Sequence, residues 1–200
     1  MAVERERGRE SMPYVLAING SPRKCGNTDI LIDRVLEGAG AVGAKTEKVV
    51  LNDLVFSPCQ ECENTTDDGL CLIQDDMQPL YAKIKEADVL VLGSPIFFGS
   101  LSAQMKMMID RFQCVWRAKY VLNKDVPGKS SNRKGYFLCV EASERKDFFH
   151  NAKAIVRNFF ATIDMDYTGE LFCSGVGEKG SIKSHPDIMK KAFELGKSVM

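Results

Sequence analysis

The sequence predicts an α/β protein with a parallel sheet covered on both faces by helices. Three observations carry this. Five apolar runs of strand length alternate with five amphipathic runs of helical spacing; the strand-like runs are too apolar to leave one face in water; and no repeat or low-complexity linker interrupts the order from residue 13 to residue 200.

The first strand spans residues 14–18, and the first helix follows with Ile30, Leu31, Val35 and Leu36 at helical spacing. The turn between them, Asn19-Gly20-Ser21-Pro22-Arg23-Lys24-Cys25-Gly26-Asn27-Thr28, ends at a helix N-terminus. Free N–H groups and the helix dipole make such a terminus a site for a phosphate. Ser21, Asn27 and Thr28 add neutral donors, and Arg23 adds a charged fork. In the purely structural alternative, Asn27 or Thr28 caps the helix while Gly20 and Gly26 turn the chain. A nucleotide-triphosphate loop is excluded, because Gly20 to Gly26 is one residue too long and Asn27 stands where its lysine belongs. A dinucleotide fingerprint is excluded as well, since Ser21 and Pro22 follow Gly20 with no second glycine. A single phosphate fits best.

The second and third strands span residues 48–51 and 89–92. The helix between them, residues 76–87, has Met77, Leu80, Ile84 and Ala87 on one face. Gly93-Ser94-Pro95-Ile96-Phe97-Phe98-Gly99-Ser100 follows, leading into a helix over residues 101–116. Pro95 stiffens this loop, and Gly93 and Gly99 let backbone approach a ligand closely. Two adjacent phenylalanines cannot both enter the core unless the loop folds back, so one is available to pack on a planar ring; otherwise both anchor the following helix. The fourth strand, residues 135–140, precedes a helix over 147–163, and a last strand over 171–176 precedes a last helix over 186–199. In an open parallel sheet the ligand lies beyond the carboxyl ends of the strands, where both loops fall. One phosphate and one large planar ring describe flavin mononucleotide (FMN).

Gly20-Ser21-Pro22-Arg23…Gly26-Asn27-Thr28, Cys59-x-x-Cys62…Cys71…Asp75-Asp76-Met77 and Ser94-Pro95-Ile96-Phe97…Lys106…Ile109-Asp110-Arg111 resemble the NAD(P)H-dependent FMN reductase and iron–sulfur flavoprotein group of flavodoxin-like proteins. The resemblance runs from about Met12 to the C-terminus. It implies a five-stranded sheet of order 2-1-3-4-5, FMN at the strand ends and a homodimer or homotetramer. It also implies that Ser21, Arg23, Asn27 and Thr28, with Gly26 in the same loop, hold the phosphate, while Pro95, Ile96, Phe97, Phe98 and Gly99 border the ring. Glu141, Ala142 and Ser143 would line the other side, although this loop departs from the glycine-rich form common there. The implied function is an oxidoreductase passing electrons from NAD(P)H through FMN to a small acceptor such as a quinone or a flavin. No side chain stands out as an acid or base.

Seven cysteines in a chain without a visible secretion signal read as thiols or metal ligands rather than disulfides. Cys114, Cys139 and Cys173 lie in apolar runs and read as small core residues. Cys59, Cys62 and Cys71 share a polar loop and are the metal-ligand candidates. In the cluster-bearing relatives the compact motif is C-x-x-C-x-x-C-x(4–7)-C, and its third position here is Thr65. A hydroxyl is a poor substitute for a soft thiolate, and His150 and His185 are too distant to complete a zinc site. FMN without an iron–sulfur cluster is therefore expected, with the three thiols structural or redox-active.

Lys plus Arg equals Asp plus Glu, 27 against 27, so no global field draws the chain to nucleic acid or an anionic membrane. No apolar run is long enough to span a bilayer, and the charged opening Glu4-Arg5-Glu6-Arg7 lacks a signal peptide's hydrophobic segment. A cytoplasmic protein is expected, with residues 1–12 a disordered tail or an upstream start. The helix over 101–116 adds Met107, Val115 and Trp116 to an already full core stripe, which predicts that part of it lies between subunits. Two other functions fit parts of the chain. One is a flavin electron carrier or redox sensor without a substrate of its own. The other is a cysteine phosphatase, since Cys139 to Arg145 fits C-x5-R; two glutamates and the absence of glycine in that loop oppose it.

Overall fold

The computed structural model describes residues 12–62, 70–124 and 132–199. Except for Met12, the expected N-terminal tail lies outside the described residues, as does Thr65. The elements are β1 (Tyr14–Asn19), α1 (Asn27–Ala41), β2 (Lys45–Val50), α2 (Met77–Glu86), β3 (Val89–Phe97), β4 (Ser100–Leu101), α3 (Ala103–Asp110), α4 (Gln113–Tyr120), β5 (Lys134–Val140), α5 (Lys146–Thr162), β6 (Asp166–Cys173) and α6 (Pro186–Lys197).

Five strands are parallel in the order β2-β1-β3-β5-β6. Among the described residues the sheet has six strands rather than the five expected. β3 runs on past its parallel neighbours, turns at Phe98 and Gly99, and pairs antiparallel with β4 through Ile96 with Leu101 and Phe97 with Ser100. Side chains alternate across the sheet. Leu16, Ile18, Leu90, Leu92 and Phe137 pack with residues of α2, α3, α4 and α5, whereas Val15, Ala17, Val91 and Leu138 pack with α1 and α6. α1 and α6 approach so closely that a Cβ on Gly38 would collide with the Phe193 carbonyl, and one on Gly196 with that of Val35.

Both edge strands correct the sequence reading. β2 starts at Lys45 and β6 at Asp166, each through polar and half-exposed residues, because an edge strand keeps one side in water. The central strands β1, β3 and β5 are instead buried over most of their length. The helix expected over 101–116 is two helices. At the break the Arg111 carbonyl is drawn aside to accept the Tyr81 hydroxyl at 2.7 Å and the Cys114 thiol at 3.3 Å. There Phe112 also enters the core edge-on between the rings of Tyr81 and Phe159, at 4.9 and 5.0 Å. No helix among the described residues is long and apolar enough to cross a membrane.

Candidate functional site

The chain leaves β1 to form β2 on one side and returns to form β3 on the other, so a crevice opens beyond the carboxyl ends of β1 and β3. Asn19 lies opposite Gly93, and the Gly20 N–H donates to the Gly93 carbonyl at 2.8 Å.

The turn after β1 is closed by its own side chains. The Asn19 amide donates to Asp29 Oδ1 at 3.0 Å and its oxygen accepts the Ser21 N–H at 2.9 Å. Ser21 Oγ accepts the Arg23 N–H at 3.2 Å, and Asp29 Oδ2 accepts the Cys25 N–H at 2.9 Å. Lys48 Nζ balances the buried Asp29 carboxylate at 2.8 Å. Gly26 begins α1, and a Cβ there would meet the Arg23 carbonyl. Beyond it the first-turn N–H groups of Asn27, Thr28 and Asp29 have no intrahelical acceptor. Ser21 and Thr28 are buried at this end, whereas Arg23 is exposed and donates to the Gly177 carbonyl at 3.2 Å. The Asn27 side chain holds the segment after β6 instead of standing free. Its amide donates to the carbonyls of Val176 and Glu178 at 3.4 and 2.7 Å, and its oxygen accepts the Ile182 N–H at 3.2 Å. What Asn27 leaves for an anion is its backbone N–H.

The turn after β3 is built differently. Ser102, which caps α3 by accepting the Met105 N–H at 3.3 Å, donates to the Gly20 carbonyl at 2.6 Å. Its own N–H donates to Ser94 Oγ at 3.0 Å, so Ser94 and Ser102 bind the two turns and the helix start together. Sequence reading missed both residues, although a serine three residues before Met105 at a helix start is a capping signal. Pro95 lies opposite Val140 and Ile96 is half-buried. Neither phenylalanine enters the core: Phe97 is partly exposed, and Phe98 is fully exposed with φ at +49°. Gly99 takes φ at +76°, completing a two-residue hairpin turn against the ring of Phe148.

In the third turn Glu141 is buried. Its Oε1 accepts the Ser143 hydroxyl, and its Oε2 is sealed from solvent with no partner among the described residues. The exposed Ala142 lies beside Gly177, and the Ser143 carbonyl accepts the Gly175 N–H. Residues 176–182 thus connect this turn to Arg23 and Asn27; the repeated glycines Gly175, Gly177 and Gly180 were the available signal. Cys139 is buried at the strand end, and burial pushes its thiol far above the usual range, which opposes a nucleophile there.

Away from the crevice, Cys59, Cys62, Cys71 and Cys114 line one cavity of about 490 Å³ with Arg111 and Trp116. Cys139 and Cys173 are core residues as expected, but Cys114 joins the loop thiols instead. Arg111 is fully buried and pairs with Asp75 at 2.5 Å, donates to the Ser57 carbonyl at 2.8 Å and reaches Cys71 Sγ at 3.4 Å. Among the described residues no three His, Cys, Asp or Glu side chains gather as ligands of one metal ion.

The model of the NADPH-dependent FMN reductase family matches residues 13–166. An iron–sulfur flavoprotein of Methanocaldococcus jannaschii is 33% identical over 190 residues, 92% of this chain and 94% of that protein. Another, of Methanosarcina thermophila, is 33% identical over 112 residues, 56% of this chain and 59% of that protein. The structure of an NAD(P)H:quinone oxidoreductase from Methanothermobacter marburgensis shares the fold, with a TM-score of 0.68 over 95% of this chain and 100% of that chain at 17% identity. With strand-end turns suited to one phosphate and one ring, and a family match over most of its length, the chain belongs to the NADPH-dependent FMN reductase family and is an FMN-dependent oxidoreductase.

Proposed function

We propose that this protein holds FMN in the crevice beyond β1, β3 and β5 and passes electrons from NAD(P)H to a small acceptor, a quinone or a flavin. The observation that carries this reading is the joining of two unlike turns at the carboxyl end of the sheet, a closed polar turn at a helix N-terminus and an exposed aromatic hairpin, through Ser102. Bound there, FMN supplies the hydride-accepting ring. The N–H groups of α1, Ser21, Thr28 and Arg23 fit a phosphate, because they offer neutral donors and one cation while Lys48 offsets the nearby Asp29. Pro95 to Gly99 fit one side of the ring, and Ala142 and Ser143 the other. Seven free thiols suit a reducing cytosol.

The test is an absorbance titration with FMN followed by steady-state NAD(P)H oxidation against quinone and flavin acceptors. Turnover with either supports the enzyme. Flavin binding with reduction only by a partner protein would favour the electron-carrier alternative.

We also read the exposed Trp116, Tyr120, Val121 and Leu122 as a face for self-association, beside a groove lined by Ile109, Phe112 and Phe159. Val115, expected to share this surplus, is instead buried in the core. A dimeric or tetrameric mass in light scattering at micromolar concentration supports this face, and a monomeric mass removes it.

The Methanocaldococcus relative is named for an iron–sulfur cluster, but the residues here do not fit one of the compact kind. Thr65 stands at the third ligand position of that motif, and a hydroxyl is a poor substitute for a soft thiolate.

A further inference from the structure

One buried side chain ties two distant segments together at the turn after β1. The Asn27 amide donates to the carbonyls of Val176 and Glu178 and accepts the Ile182 N–H, at 3.4, 2.7 and 3.2 Å. The contacts to Val176 and Ile182 are buried, so water cannot take the place of Asn27 there. Val176 and Ile182 belong to the same core cluster as Leu31, Ile32 and Val35 of α1, whereas Gly177, Glu178 and Lys179 between them are exposed. At its start the segment is fastened to the third turn, through the Val176 N–H to the Glu141 carbonyl at 3.0 Å and the Gly175 N–H to the Ser143 carbonyl at 3.2 Å. The Gly177 carbonyl then accepts Arg23 Nη1 at 3.2 Å. That contact uses one nitrogen of an exposed side chain and leaves Nε and Nη2 for a phosphate. A long exposed arginine loses rotamer freedom when it binds an anion, and a fixed carbonyl that already holds one nitrogen removes part of that cost.

We propose that Asn27 is a positioning residue for the phosphate of FMN, acting through residues 176–182 and Arg23. By fixing those residues it fixes the Gly177 carbonyl, and this carbonyl aims Arg23 at the N-terminus of α1. The Asn27 side chain, with both amide protons given to the segment, has no donor left for the phosphate itself. This role rests on the placement of FMN in the crevice, and it sets a preference there for the phosphorylated flavin over riboflavin. Coupling of this kind is reciprocal. If residues 176–182 hold Arg23 for the phosphate, then a phosphate on Arg23 steadies residues 176–182. Riboflavin carries no phosphate and gains nothing from the segment.

In the experiment the full-length protein, freed of flavin, is titrated with FMN and with riboflavin as wild type, Arg23→Ala, Asn27→Ala and the double variant. Asn27→Ala should weaken FMN binding about tenfold and leave riboflavin affinity within about twofold, a coupling of ordinary size between sites. The double variant should bind FMN no more weakly than Arg23→Ala alone, because both changes remove one interaction. Equal losses for FMN and riboflavin, additive losses in the double variant, or unchanged FMN affinity in Asn27→Ala each overturn the proposal while leaving FMN in the crevice. A wild type that binds FMN no more tightly than riboflavin removes the phosphate site, and the proposal with it. The second readout is hydrogen exchange in a peptide spanning residues 176–182, which needs only the wild type and Arg23→Ala. Saturating FMN should slow exchange there in the wild type, whereas riboflavin on the wild type and FMN on Arg23→Ala should not. Equal slowing by FMN in the wild type and Arg23→Ala overturns the proposal even where Asn27→Ala fails to fold.

Discussion

The two ends of α3 are held by different chemistry. At its start, Ser102 uses neutral hydrogen bonds to join the turns after β1 and β3. At its end, Arg111 uses a buried ion pair with Asp75 and carbonyl contacts to hold the segment before α2. The first end lies at the crevice proposed for FMN, where groups must remain available. The second commits its Nη1 and Nη2 groups to the fold, because a buried charge is tolerable only when paired. A short helix can thus connect a binding edge and a structural anchor without either sharing residues with the other.

The largest effect is expected at the anchored end. Arg111→Ala leaves Asp75 without its partner and should cost about 3–5 kcal/mol in denaturant unfolding, with FMN affinity of the folded protein unchanged. A parallel fall in FMN affinity would show that the two ends are coupled. The same anchor has an acid limit. Burial pushes the Asp75 carboxyl upward, but hydrogen bonds from Arg111, Ser57 and Met77 outweigh it and hold it below the usual carboxylate range. Its stabilising contribution is therefore present at neutral pH and is lost as pH falls through that lowered value, an effect Arg111→Ala should remove.

At the crevice end, Arg23→Ala should weaken FMN binding by about 1.5–3 kcal/mol in a titration while leaving the apoprotein's melting temperature unchanged, since the side chain is exposed. Ser102→Ala should cost about 1–2 kcal/mol of stability and lower FMN affinity together, because it removes a cap and leaves the Gly20 carbonyl without its donor. A stability loss with wild-type FMN affinity would make Ser102 part of the anchor rather than the crevice.

The smallest change is a gain. Phe98 is held in a left-handed conformation that suits asparagine, and its ring is fully exposed. Phe98→Asn should stabilise the apoprotein by about 1 kcal/mol while altering the flavin spectrum or the NAD(P)H oxidation rate at saturating FMN. An unchanged spectrum and rate would leave the hairpin with no part in the chemistry.

The alternation of central strands and helices, and the polar and aromatic turns after β1 and β3, were legible in the sequence because each depends on neighbours a few residues apart. The order of the strands in the sheet came from the family resemblance. Apolar runs identify the central strands, and glycine, serine and proline mark the turns between them. The edge strands were misplaced at their starts because Asp166 to Glu170 and Lys45 to Lys48 look like loop when only one side is buried. Asn27 read as a phosphate donor from its position at a helix start, yet its amide closes on Val176, Glu178 and Ile182, partners far away in the chain.

Local pattern determined that this chain forms an α/β sheet with a polar and an aromatic turn after β1 and β3, since strand apolarity, helical spacing and turn chemistry are properties of adjacent residues. Only the tertiary structure decided which side chains remain free at those turns, that Glu141 is buried, and that Cys114 lines one cavity with the loop cysteines. Those outcomes depend on which distant groups satisfy each buried donor and acceptor, and spacing along the chain does not contain that information.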